Sequence, residues 1–208
     1  MGSCCEDNCA LEFLQQRQRG TLIKVLWINA IMFIVIVIAA YIAESSALFS
    51  DSLDNLGDAL TYGLSLYAVS KGASTKARVA LFKGSLIFLA ASLVIAQVVH
   101  RIIYPVIPSY ELMGIFSLLS LIGNASCLYL LWQHRREDIN MSSVFECSRN
   151  DIASNLSVIL AAVGVWLFDS GLPDIILATL LAGMLLRSSY RVISGAMVEL
   201  AKNRKPPD

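Results

Sequence analysis

Three aspartates, Asp51, Asp54 and Asp58, fall within eight residues of one another in an otherwise largely apolar block. On a helix Asp54 and Asp58 stand at i and i+4 and share a face, and Asp51 lies one turn earlier on the same side. A second apolar stretch repeats the spacing with Cys147 and Asp151. A carboxylate at the centre of a bilayer costs about 2.5–3.5 kcal/mol on insertion scales, so a set of them there needs a chemical reason. The residue types suggest a divalent cation. Carboxylate oxygens and a thiolate bind Zn²⁺ in tetrahedral sites, and sulfur moves the preference toward softer ions such as Cd²⁺. Mg²⁺ and Ca²⁺ want oxygen throughout. Asp54, Asp58, Cys147 and Asp151 are therefore the candidate metal ligands, one pair from each of two helices. The competing reading is structural, with each acid hydrogen-bonded to a neighbouring helix. Paired ligands on two helices favour ligation, whereas Asp51 alone fits a structural, hydrating or proton-access role equally well.

The elements that must hold these residues are legible in composition. Of 208 residues, 56% are hydrophobic and 15% charged, against about 25% charged in a soluble domain. Apolar blocks fall near residues 22–43, 47–70, 78–100, 112–132, 143–168 and 172–193. Each is long enough to cross a hydrocarbon core that needs roughly 20 helical residues. The pattern predicts an all-α integral membrane protein, a bundle of six transmembrane helices over residues 21–195. A Cys-containing tail precedes it at 1–20 and a short polar tail follows at 196–208. Residues 1–20 lack the basic start and apolar run of a cleavable signal. With both termini cytoplasmic, the lysines and arginines gather on the inner side, apart from Arg101 outside and Arg149 within the fifth block. That is the one-sided split expected of cytoplasmic loops. Asp54 and Asp58 then lie roughly 10–16 Å in from the outer end of helix 2, and Asp151 roughly 12 Å in from the inner end of helix 5. Because the two helices run antiparallel, both pairs fall near mid-membrane.

The stretch Ser46-Ala47-Leu48-Phe49-Ser50-Asp51-Ser52-Leu53-Asp54-Asn55-Leu56-Gly57-Asp58 is similar to the helix 2 signature of the cation diffusion facilitator family. Cys147-Ser148-Arg149-Asn150-Asp151 resembles the helix 5 half, with Cys where the family usually has His or Asp. Pro173-Asp174 and the helix after it resemble helix 6, and the likeness runs through residues 20–200. The resemblance implies a homodimer working by alternating access and proton-coupled antiport. Metal would enter from the cytoplasm and bind Asp54, Asp58, Cys147 and Asp151; protons from outside would displace it. Zn²⁺ or Cd²⁺ is then a transported substrate, and no prosthetic group is expected. The cytoplasmic metallochaperone-like domain common in the family is expected to be absent. The partners implied are divalent metal ions, protons, the lipid bilayer and a second copy of the chain, with no nucleic acid.

Accessory residues follow from the same logic. Cys4, Cys5 and Cys9, with Glu6 and Asp7, could capture metal at the cytoplasmic face. Asn155 is i+4 from Asp151 and a candidate neighbour of the ligands; Asn124, Asn150 and Asn155 are expected to hydrogen-bond across helices. Other functions remain open at this point: transport of Mn²⁺, Fe²⁺ or Hg²⁺, or metal binding in the membrane without transport. A membrane metalloenzyme is disfavoured because no H-E-x-x-H arrangement supplies acid/base groups, so no enzyme activity is expected. The minimal chain suits a multi-pass protein of a bacterial inner membrane.

Overall fold

The computed structural model describes residues 3–68, 73–133 and 139–202, with side chains described for 19–64, 66, 77–133, 145 and 148–201. The described residues form six helices: α1 (Ser3–Ala43), α2 (Ser46–Ala68), α3 (Ala73–Ile103), α4 (Tyr110–Trp132), α5 (Ile139–Phe168) and α6 (Leu172–Lys202). Several extend past the apolar blocks that announced them. Backbone hydrogen bonding does not stop at the membrane surface, so the polar flanks of a span continue its helix. Among the described residues, Arg19–Ala43, Ala77–Ile103, Tyr110–Trp132, Ser148–Phe168 and Leu172–Ala201 are long and apolar enough to cross a membrane. Helix α2, with 23 residues, has the length to span, roughly 34 Å at 1.5 Å per residue. Its three aspartates are what set its composition apart.

The burial pattern is that of a protein dissolved in lipid. Ile31, Ile34, Ile38 and Ile42 face outward along α1, while Asn29, Ser50, Asp51, Asn55, Asp58, Ser117, Ser120, Asn124 and Asn155 are buried. Hydrocarbon offers no hydrogen bonds, so polar side chains turn inward where other helices can satisfy them. Helix α4 shows the arrangement plainly. Its buried face is Met113, Ser117, Ser120, Asn124, Cys127 and Leu131, a stripe recurring every three or four residues. The small side chains on it let neighbouring helices approach closely.

The closest pairings are α3 with α6, α1 with α2, and α4 with α5; α2 also touches α3, α6 and, more slightly, α5. The α3/α6 seam depends on Gly84, where a Cβ would lie 3.2 Å from the Ile193 backbone nitrogen. Ser189 reinforces the seam by donating to the Gly84 carbonyl at 2.9 Å. At one end α1 closes with Glu44 in the left-handed region (φ 55°). The Ser45 N–H bonds the Ala40 carbonyl at 3.1 Å and the Glu44 N–H bonds the Tyr41 carbonyl at 3.4 Å. This is a Schellman closure with a non-glycine residue at its left-handed position.

The start of α2 is then held from across the bundle. Ser45 caps it, its hydroxyl accepting from the Leu48 N–H at 3.0 Å. Asp174, in the first turn of α6, accepts from the Ser46 N–H at 2.7 Å, the Ala47 N–H at 3.0 Å and the Ser45 hydroxyl at 2.5 Å. The first N–H groups of a helix have no partner within it, and here a buried carboxylate of another helix supplies one. That anchor fixes the depth of α2, and with it the depth of its aspartates.

Candidate metal site

The aspartates of α2 divide into two roles. Asp51 is buried and fully engaged: its Oδ2 accepts from the Ser120 hydroxyl at 2.9 Å and its Oδ1 from the Asn155 amide at 2.6 Å. Asn155 also donates to the Ser120 hydroxyl at 3.1 Å, and its own oxygen accepts from the Asn124 amide at 2.9 Å. Asp51, Ser120, Asn124 and Asn155 thus form one polar joint linking α2, α4 and α5. Asn155 was expected near the ligands. The structure commits its amide to this joint, one turn from Asp151 along α5. Of the other asparagines expected to bond across helices, Asn124 does so and Asn150 is exposed.

Asp58 lies two turns further along α2, buried. Its carboxyl is in hydrogen-bond contact with that of Asp151 on α5, and the Tyr62 hydroxyl donates to its Oδ2 at 3.5 Å. Lys83 of α3 is near enough for its charge to act on Asp58. Asp54, half-buried, feels the charges of both Asp51 and Asp58. Asp58 and Asp151 therefore meet across the α2/α5 boundary as the antiparallel depth argument anticipates. Two carboxyl groups in contact hold either one proton or one cation between them.

Cys147 lies on α5 one turn before Asp151, but its side chain is outside the described residues, as are those of Cys4, Cys5 and Cys9. Among the described residues, no three His, Cys, Asp or Glu side chains converge closely enough to hold one ion. Helices α2 and α5 touch only slightly, and the described carboxylates meet as a pair. A cavity of about 620 Å³ opens elsewhere, between α1, α2 and α3, lined by residues including Glu44, Ser45, Phe49, Gln97, His100 and Arg101. Arg101 reaches Glu44 there at 3.7 Å. None of the four aspartates lines it.

The residue that sequence reasoning passed over is Asp174. Sequence analysis named it only beside Pro173 at the start of helix 6 and gave it no role, and its pairing with a Ser-Ser start 128 residues away leaves no local trace. The available signal was an acid in the first turn of α6 and serines opening α2, both of which suit helix N-termini.

A family model described as the cation efflux transmembrane domain matches residues 22–201. No curated protein matches the chain.

Proposed function

The chain belongs to the cation efflux family, and from that premise we propose that it exports Zn²⁺ or Cd²⁺ in exchange for protons. Asp54 and Asp58 of α2 and Cys147 and Asp151 of α5 are the ligands. The observation that supports this most strongly is the contact between Asp58 and Asp151, two carboxyls brought together from different helices inside a multi-pass membrane protein. A cation or a shared proton between them relieves the repulsion of such a pair. Carboxylates and a thiol must lose protons to bind metal, so occupancy by metal and by proton are mutually exclusive. An exporter that alternates access can run on that exclusion. Metal entering from the cytoplasm expels protons from the ligands, and protons arriving from outside expel the metal.

The slight α2/α5 contact suits this cycle. Helices that must part and re-form a site gain little from a large dry interface, whereas α3/α6 and α4/α5 pack extensively and can move as units. The Asp51 joint and the Asp174 anchor tie α2 to both halves at fixed points. Both termini lie in the cytoplasm, in keeping with the distribution of lysine and arginine, and the working unit is a homodimer. Metal uptake into vesicles carrying Asp151→Asn tests the assignment. The variant keeps the shape of the side chain and removes its charge, and uptake of both Zn²⁺ and Cd²⁺ should fall to background. Uptake at the wild-type rate would move the site away from α5.

A further inference from the structure

Of the 16 lysines and arginines, Arg101 alone stands at the end of the bundle that carries the α1/α2 turn. It lies in the last turn of α3, and only 12% of its side chain is exposed. A guanidinium so far withdrawn from water needs strong partners. Those it has are weak. Its Nη1 reaches the exposed Glu44 carboxylate at 3.7 Å, beyond the roughly 2.7–2.9 Å of a charge-assisted hydrogen bond. Its buried Nε–H has no partner among the described residues. Asp174 is near enough to feel its charge, but that carboxylate already takes three hydrogen bonds from Ser45 and the start of α2.

Arg101 lines the cavity of about 620 Å³ between α1, α2 and α3, a volume within the roughly 300–1,000 Å³ of small-ligand sites. The two ends of this cavity differ in character. Glu44 and Arg101 stand at the ends of their helices, at the depth of the membrane surface, with Gln97 one turn below Arg101. Val37 lies roughly 10 Å below Glu44 along α1, and with Ala40 and Phe49 it lines an apolar trough. Ile42 is exposed on the outward face of α1 and forms part of the wall, so the cavity opens toward lipid. A polar rim above an apolar trough matches a phospholipid, whose headgroup lies at the surface and whose chains run into the hydrocarbon. A basic group in a pocket between membrane helices is a common anchor for a lipid phosphate. The rim also carries both signs of charge. An anionic headgroup would be repelled by Glu44, and a choline headgroup has no N–H to give it. A primary ammonium beside a phosphodiester satisfies both residues. We infer that the cavity binds one phospholipid with a phosphoethanolamine headgroup. Its phosphate accepts from the Arg101 Nε–H, its ammonium donates to Glu44, and an acyl chain lies along Val37 and Phe49. The lipid sits against the α1/α2 turn, beside Asp174, and so braces the anchor that fixes the depth of α2. That it belongs to the outer leaflet rests on cytoplasmic termini; the binding itself does not, and it is independent of the metal site.

The test is native mass spectrometry of the full-length protein, delipidated in detergent and titrated with phosphatidylethanolamine, phosphatidylcholine or phosphatidylglycerol of the same acyl chains. The expected result is one phosphatidylethanolamine per chain, held about tenfold more tightly than either other lipid, the worth of one hydrogen bond to a charged group. Arg101→Gln should weaken that binding by about tenfold. Glu44→Gln, at an exposed position in the turn, should leave phosphatidylcholine binding unchanged and remove the preference for phosphatidylethanolamine. Glycerophosphoethanolamine, the same headgroup without chains, should not displace the lipid at equal concentration. Three lipids that bind alike in the wild type, or a preference for phosphatidylethanolamine that survives Glu44→Gln, overturns the proposal. A preference for phosphatidylglycerol overturns it in favour of an anionic-lipid site, and displacement by glycerophosphoethanolamine in favour of a soluble phosphodiester. Should Arg101→Gln fail to fold, Glu44→Gln carries the test alone.

Discussion

Replacing Asn155 by alanine removes the central member of the joint between α2, α4 and α5. Three hydrogen bonds are lost, to Asp51 at 2.6 Å, to Ser120 at 3.1 Å and from Asn124 at 2.9 Å. Asp51 keeps its bond from Ser120, so one carboxyl oxygen and the Asn124 amide are left unpaired in a buried setting. An unsatisfied buried group costs about 1–3 kcal/mol, whereas interhelical hydrogen bonds measured within membranes average about 0.6 kcal/mol. Two orphaned groups, with partial relaxation of the neighbours, give a loss of about 1–3 kcal/mol on the same figures. The assay is reversible unfolding in detergent for Asn155→Ala, Asp51→Asn and the double variant. Because the two side chains bond directly, the double variant should be less destabilised than the sum of the single changes by about 0.5–3 kcal/mol. Metal affinity should fall as well, by about tenfold, because the joint holds α2 two turns from Asp58 and α5 one turn from Asp151, and so sets how the two carboxyls meet. Strictly additive losses, together with unchanged metal affinity, would refute the claim that this joint positions the site.

Two further outcomes follow from the structure. Asp174→Ala strips the partner from the first N–H groups of α2 and should cost about 1–2 kcal/mol, in the range of a lost helix cap. Thermal unfolding measures it, and Asp174→Asn, which keeps one acceptor, should lose less. Cys147→Asp removes the sulfur from the proposed ligand set and should move selectivity from Cd²⁺ toward Zn²⁺, read by competition between the two ions at equal concentration in vesicle uptake.

The helices were legible because a bilayer imposes a length and a polarity that few other environments do. Any helix with as many apolar residues as α1, α3, α4 or α6 announces itself. Helix α2 was legible for the opposite reason, since Asp51, Asp54 and Asp58 at helical spacing make no sense in lipid without partners. Depth placed Asp58 and Asp151 at the same level, since two antiparallel spans of known length bring their midpoints together, and the family resemblance named the two helices as those that share a site. What sequence could not provide was the partner of each polar group. Asp51 and Asp58 share a helix and nearly a face, yet one bonds to Ser120 and Asn155 and the other meets Asp151 and Tyr62. That division depends on which helix lies opposite, which is a matter of packing angle and rotation. Asp174 was hidden for the same reason: its three donors belong to α2 and the turn before it, distant in sequence. Asn29 and Cys127 were each an exception in an apolar run, and only the assembled bundle makes them neighbours.

The central claim is that the carboxyl pair of α2 and α5 holds metal and proton in turn. The most direct measurement follows metal and proton together in proteoliposomes containing a pH-sensitive dye, with wild type beside Asp58→Asn. The account predicts Zn²⁺ or Cd²⁺ uptake accompanied by proton movement in the opposite direction, accelerated by an imposed pH gradient and abolished in the variant. Metal uptake that ignores the gradient, or an Asp58→Asn variant that transports at the wild-type rate, would contradict it.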